Sequence, residues 1–161
     1  MKINKLPIFI FLPFLVSCNT IPTYDGIKVK LPYDENGGLS VVTPDFLYEY
    51  LIEGSNSGVV LLSSSSCASC VEAVEQINGY SELCNFKSFK VEMDGINEAD
   101  YNTLVSVTSY VDQIFALPAF GEQLYLPTLY LFMGVEDGSA VAKTTNSNFV
   151  DFLRMYVEVI N

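Results

Sequence analysis

Histidine is absent from the chain. That one gap removes serine–histidine and cysteine–histidine catalysis, histidine-held zinc and histidine-ligated haem. Basic residues are few: 8 Lys and Arg stand against 19 Asp and Glu, for a formal net charge of −11. Nucleic acid is bound by neutralising phosphates with Lys and Arg, so a balance this acidic argues against a nucleic-acid partner. It argues equally against electrostatic adhesion to anionic lipid, and leaves solubility as the role of the charge. No apolar run reaches the roughly 20 residues that span a bilayer. There is no phosphate loop, no convincing metal-ligand cluster and no internal repeat, so neither a cofactor nor a metal is expected. What the chain does have is apolar mass. Half of its 161 residues are hydrophobic and 13% are aromatic, enough for one core and incompatible with general disorder.

The first residues read as an export signal. Lys2 and Lys5 make a charged start, and Leu6 to Val16 is a short apolar stretch broken by Pro7 and Pro13. It ends Leu15-Val16-Ser17-Cys18, which resembles a bacterial lipobox. That resemblance implies cleavage before Cys18, a diacylglycerol on its sulfur, and an extracytoplasmic protein anchored in the cell envelope by lipid. Cys18 would then be a thioether and take no part in a disulfide. Asn19 in place of Asp favours the outer membrane, where the host has one, by resemblance to enterobacterial lipoproteins. Residues 1–17 are thus the expected signal and 18–38 the lipidated cysteine with a tether. A flexible coil of ~20 residues spans about 25 Å. The alternation Ile27-Lys28-Val29-Lys30-Leu31 is open to a second reading, as an edge strand.

From Leu39 to the end, residues 39–161, the pattern is that of a single domain. Leu39 to Val42 suits a short strand. Thr43-Pro44-Asp45 starts a helix, with a capping hydroxyl, a first-turn proline and an acid at the positive end. That helix stops near Gly54. Val59 to Leu62 is continuously apolar, as in a strand covered on both faces. After Cys70 a helix is expected with Val71, Val74, Ile77 and Tyr80 inward. Phe86 to Met93 reads as a strand, Asn97 to about Ala116 as a helix, and Leu126 to Met133 as a strand. Asp94, Glu98 and Asp100 read as helix-start charge. Gly134 to Gly138 is a turn into Ala140–Lys143, and Asn148 to Ile160 is expected to be one amphipathic helix. Parallel units followed by an antiparallel pair predict an α/β fold, a mixed sheet with helices on both faces.

Cys67-Ala68-Ser69-Cys70 sits between the strand at 59–62 and the helix that follows. A helix N-terminus favours thiolate over thiol, and thiolate is the nucleophile of disulfide exchange. Cys67 is the candidate nucleophile and Cys70, one turn in, the resolving cysteine. The alternative is a static disulfide, although so small a loop adds little chain-entropy stabilisation. Cys84, the remaining thiol once Cys18 is lipidated, reads either as a second resolving cysteine or as a small buried hydrophobe.

These elements resemble the thioredoxin-like family. The strand-to-CxxC-to-helix junction is followed by Leu126-Pro127-Thr128 ~55–60 residues later, and then by a Gly-containing turn, a strand and a terminal helix. The resemblance covers about residues 39–161. It implies a thioredoxin-like sheet, a cis peptide bond before Pro127 lying against the cysteines, and backbone pairing of a substrate peptide with Leu126. It also implies exchange with protein or peptide thiols and disulfides and a redox partner protein. Two departures stand out. Ser66-Cys67-Ala68-Ser69-Cys70 replaces the common Trp-Cys-Gly-Pro-Cys, and Leu61 replaces a buried acid that assists proton transfer from the second cysteine. The segment from Asp94 to Leu126 is longer than in a minimal thioredoxin, an expected lid or partner-binding insert. The expected function is thiol–disulfide exchange through Cys67 and Cys70, with Leu126, Pro127 and Thr128 as the substrate edge. A non-catalytic binding lipoprotein and a Cu(I) carrier are the alternatives.

Overall fold

A computed structural model describes residues 28–109, 117–134, 139–145 and 148–161, with 139–143 as backbone alone. The expected leader with Cys18, the part of the expected helix at 110–116 and the expected turn at 135–138 lie outside the described residues.

Strand β3 (Gly58–Ser63) is the centre of the molecule. Its side chains alternate between two faces, and both faces are covered. Val59 and Leu61 enter one buried cluster with Ala73, Ile77, Phe149 and Leu153. Val60 and Leu62 enter a second with Leu47, Leu51, Tyr101 and Leu104. A period of two on a strand buried on both sides requires an unbroken apolar run, and Val59–Leu62 supplies it. Strand β5 (Thr128–Met133) repeats the logic, with Leu129 and Leu131 on the first face and Tyr130 and Phe132 on the second.

A five-stranded sheet runs in the order β2-β4-β3-β5-β6, with β2 at Gly38–Val41, β4 at Lys87–Glu92 and β6 at Ser139–Thr144. Strands β2, β4 and β3 are parallel, β5 is antiparallel to β3, and β6 is antiparallel to β5. Helices α2 (Ala68–Cys84) and α4 (Phe149–Tyr156) cover one face. Helix α1 (Pro44–Leu47), its π-helical continuation Tyr48–Glu53, and α3 (Glu98–Ser109) cover the other. This is the mixed sheet flanked on both sides that the sequence predicts.

The helix starts behave as their residues dictate. Thr43 Oγ1 accepts from the Phe46 N–H at 3.3 Å, and Asn97 Oδ1 accepts from the Asp100 N–H at 2.9 Å. Helix α2 ends on Asn85, which takes the left-handed conformation with φ 56°. The chain entering β2 crosses that end so closely that a Cβ on Gly37 would lie 2.7 Å from the Ser81 carbonyl oxygen. Only glycine fits there.

Three expectations are corrected. The strand reading of the 27–31 alternation is the one realised: β1 (Val29–Pro32) buries Val29 and Leu31 completely, so these residues are core and not tether. The C-terminal helix stops at Tyr156, and Val157–Ile160 forms β7, paired in parallel with β1 from Val29↔Val157 to Pro32↔Ile160. Val157, Val159 and Ile160 are β-branched, and β1 offers an open ladder, so a strand forms where helical periodicity alone suggested continuation. Ile160 consequently points outward, 41% exposed. On α2 the inward face is Cys70, Ala73, Ile77, Tyr80, Ser81 and Cys84, while Val71 is 51% exposed. Val71 and Tyr80 are nine residues apart, about two and a half turns, so they cannot share a face.

Leu31→Ala should destabilise the protein by about 2–5 kcal/mol in urea unfolding, as truncation of a fully buried leucine does. Val71→Ala should change stability by no more than about 0.5 kcal/mol. Equal costs for the two would contradict this assignment of the core.

Candidate active site

Cys67 caps α2. Its backbone is extended, with φ −104° and ψ 114°, and its sulfur accepts from the Cys70 N–H at 3.2 Å. The same N–H reaches the Cys67 carbonyl at 3.0 Å. The sulfur therefore sits over the first amides of a helix, where negative charge is favoured. Cys67 and Cys70 are joined as a disulfide with their Cα atoms 5.2 Å apart. Cys70 is fully buried and Cys67 is half-buried, so an incoming sulfur can meet Cys67 first.

Two further groups touch the Cys67 sulfur. The Ser69 Oγ lies 3.2 Å away; a disulfide sulfur has no proton, so the hydroxyl donates. The Leu126 carbonyl oxygen lies 3.8 Å away, a contact in the disulfide and an acceptor for a thiol in the dithiol form. The bond from Leu126 to Pro127 is cis, and Pro127 is buried at the start of β5. The antiparallel pairing of β5 with β3, Leu62 opposite Thr128, brings this turn beside the N-terminus of α2. Of the residues expected at the substrate edge, Leu126 is half-buried beside Cys67 with Pro127 next to it. Thr128 is turned inward, and its hydroxyl donates to the Tyr125 carbonyl.

The serine run before Cys67 is a tied loop. Asp94 Oδ1 accepts from Ser64 Oγ at 2.6 Å, and Oδ2 accepts from the Ser65 N–H at 2.7 Å and from Ser65 Oγ at 2.5 Å. Glu92 Oε1 also accepts from the Ser65 N–H, at 3.0 Å, while its other oxygen pairs with Lys90 at 3.0 Å. Hydrogen bonds from Ser64, then from Ser65, hold the Asp94 carboxyl down at about 2, against an ordinary value of 3.8. A depressed carboxyl favours the fold above its unfolded value, and that contribution disappears as pH falls toward 2. Asp94 is therefore not helix-start charge for α3. The carboxylate lies about 30 positions from its serine partners, and nothing local in the sequence announces the pairing.

Leu61 is fully buried beneath α2, and no Asp or Glu is among the buried residues described. A proton leaving Cys70 therefore has no buried acid to receive it on the described faces. Cys84 closes α2 as a buried residue on the same inward face as Cys70. Part of the expected insert is core: Tyr101, Leu104, Val107 and Leu117 are buried, and the Tyr101 hydroxyl donates to the Pro118 carbonyl at 2.9 Å, while Phe120 and Tyr125 are exposed. Among the described residues, no three metal-ligating side chains converge.

No family model matches the sequence, and no curated protein matches it. Solved structures do. Thioredoxin O1 from Arabidopsis thaliana, in its oxidized state, aligns over 71% of this chain and 91% of its own, with a TM-score of 0.50 at 16% identity. Thioredoxin f2, in a complex with ferredoxin:thioredoxin reductase, covers 72% and 89% at 13% identity with a TM-score of 0.49. The short form of thioredoxin f from spinach chloroplast covers 73% and 88% at 16% identity with a TM-score of 0.48. The likeness to the Arabidopsis protein establishes a thioredoxin-like fold.

A hydroxyl donated to sulfur stabilises the thiolate in the reduced protein. Ser69→Ala should slow iodoacetamide alkylation of reduced Cys67 at pH 7 by about two- to tenfold, the range expected for one net hydrogen bond. Ser69→Thr should retain the rate. Alkylation of Ser69→Ala at the parental rate would remove Ser69 from the site.

Proposed function

We propose that this thioredoxin-like protein is a membrane-anchored, extracytoplasmic thiol–disulfide oxidoreductase acting on protein or peptide substrates. One observation carries the chemistry: Cys67 is half-buried at the start of α2, bonded to a fully buried Cys70 and facing Leu126 and Pro127. A structural crosslink needs no accessible sulfur and no free backbone edge beside it.

In the reducing direction the Cys67 thiolate attacks one sulfur of a substrate disulfide. The substrate S–S bond breaks, and the departing thiolate takes a proton from water. A Cys67–substrate disulfide remains. Cys70 then gives its proton to water, and its thiolate attacks the Cys67 sulfur. The second substrate thiolate leaves, and two electrons have passed from the Cys67–Cys70 pair to the substrate. The oxidising direction reverses each step, with the Cys67–Cys70 disulfide accepting two electrons from a substrate dithiol. A redox partner protein carrying thiols or a disulfide resets the pair. Helix-terminal amides and Ser69 favour Cys67 as the attacking and leaving sulfur; the apolar floor at Leu61 leaves Cys70 the slower partner.

The anchor rests on Leu15-Val16-Ser17-Cys18 after the charged, apolar leader. Its consequence is a lipid thioether on Cys18 and a place in the bacterial cell envelope, with the domain held near the membrane.

Cys70→Ser should stall as a mixed disulfide between Cys67 and a disulfide-bonded peptide, while the unmutated protein turns the same peptide over and Cys67→Ser does neither. Failure of the unmutated protein to reduce or oxidise the peptide, with no adduct in Cys70→Ser, would replace exchange with a binding role. For the anchor, the mature protein should begin at Cys18, carry the mass of a diacylglycerol and leave the membrane fraction in Cys18→Ser. A Cys18 peptide recovered in a disulfide would overturn the anchor.

A further inference from the structure

Beside the two sulfurs is a second feature that the exchange chemistry does not use. A cavity of about 110 Å³ opens between the first turns of α2, the Leu126–Pro127 turn and the start of α4. Ser69 and Leu126 belong to its wall, and both also touch the Cys67 sulfur. The cavity and the reacting atom thus share a rim. An extended chain advances about 3.3 Å per residue. A peptide whose cysteine lies on Cys67 therefore brings a neighbouring side chain to the mouth.

The lining is of two kinds. Ala73, Pro127 and Phe149 supply apolar lining, and Glu72, Gln76 and Thr145 supply polar lining. Residues 69, 72, 73 and 76 fall on one face of a helix, so Ser69, Glu72 and Gln76 share a single wall. Glu72 is exposed and is the only charged residue in the lining. An apolar lining with one exposed carboxylate residue in its wall matches one class of side chain: a methylene stem with a cationic head. Arginine fits it best, because its planar fork can take both carboxylate oxygens. A purely apolar side chain would leave Glu72 facing an apolar group, and an acidic one would meet a like charge.

We propose that this cavity binds a lysine or arginine side chain adjacent to the substrate's reactive cysteine, with Glu72 as the residue that selects it. The proposal rests on the exchange reading given above. It makes substrate choice a property of the α2 wall, and it fits an acidic protein acting on basic cysteine-containing segments.

The test compares three disulfide-bonded peptides that differ only in the residue beside cysteine: arginine, alanine or glutamate. Exchange with the reduced protein is followed at low and at high salt. The arginine peptide should react faster than the alanine peptide by about threefold to fivefold at low salt, the range of a partly exposed ion pair. The advantage should shrink at high salt. Glu72→Gln should abolish it, and Glu72→Lys should transfer it to the glutamate peptide. Glu49→Gln, on the opposite face of the sheet, should leave the arginine-to-alanine ratio as it was, which separates a local pair from the net charge of −11. Equal rates for the three peptides, or a ratio untouched by Glu72→Gln, would overturn the cavity's role while leaving exchange intact. No exchange with any peptide would overturn the exchange reading and this inference together.

Discussion

The seating of α2 on the β3–β5 face decides where everything else in the site can be. Ala73 and Ile77 lie in one buried cluster with Leu61 and Leu129, and Cys70 is buried on the same helix face. That contact fixes the rotation of α2 about its axis. With Cys70 turned inward, the chain one turn earlier leaves Cys67 at the helix start, half out of the core. A rotation of one residue, about 100°, would exchange a buried sulfur for an exposed valine at position 71. The asymmetry between the two cysteines is therefore a packing result before it is a chemical one.

The opposite side of the cysteine pair is held by polar groups. Asp94 and Glu92 gather the amide of Ser65, and Asp94 takes both the Ser64 and Ser65 hydroxyls. These bonds join the end of β3 to the end of β4, two parallel neighbours in the sheet. The loop that delivers Cys67 is tied to the sheet instead of hanging from it. A serine run of this kind is often flexible filler. Here a carboxylate after the adjacent strand gives Ser64 and Ser65 a partner, and Ser66 bonds the Ser64 hydroxyl, which is how a short polar loop becomes an ordered one.

The chemistry divides along the same line. The exposed end of the pair collects donors: the Cys70 amide and the Ser69 hydroxyl both point at the Cys67 sulfur. Beneath the buried end, Leu61 and Leu129 put hydrocarbon on the sheet under α2. Charge is favoured on one sulfur and discouraged on the other. The turn before β5 brings the Leu126 carbonyl within 3.8 Å of the Cys67 sulfur. The cavity that Glu72 lines shares Leu126 and Ser69 with that contact.

Much of this was written locally in the chain. The CxxC pair, the unbroken run at Val59–Leu62, the cap at Thr43-Pro44 and the Pro127-Thr128 strand entry depend on neighbours a few residues away, so they could be read without a fold. The mixed sheet with helices on both faces followed from the order of those elements. What depended on distant partners could not be read that way. Val157–Ile160 is a strand because β1 lies beside it with unpaired backbone groups, and helical periodicity carries no information about that neighbour. The serine–Asp94 ties span about 30 positions, and the cavity is assembled from α2, the turn before β5 and α4. Local spacing sets which groups a segment carries; only the pairing of strands and the rotation of helices decides which of them meet.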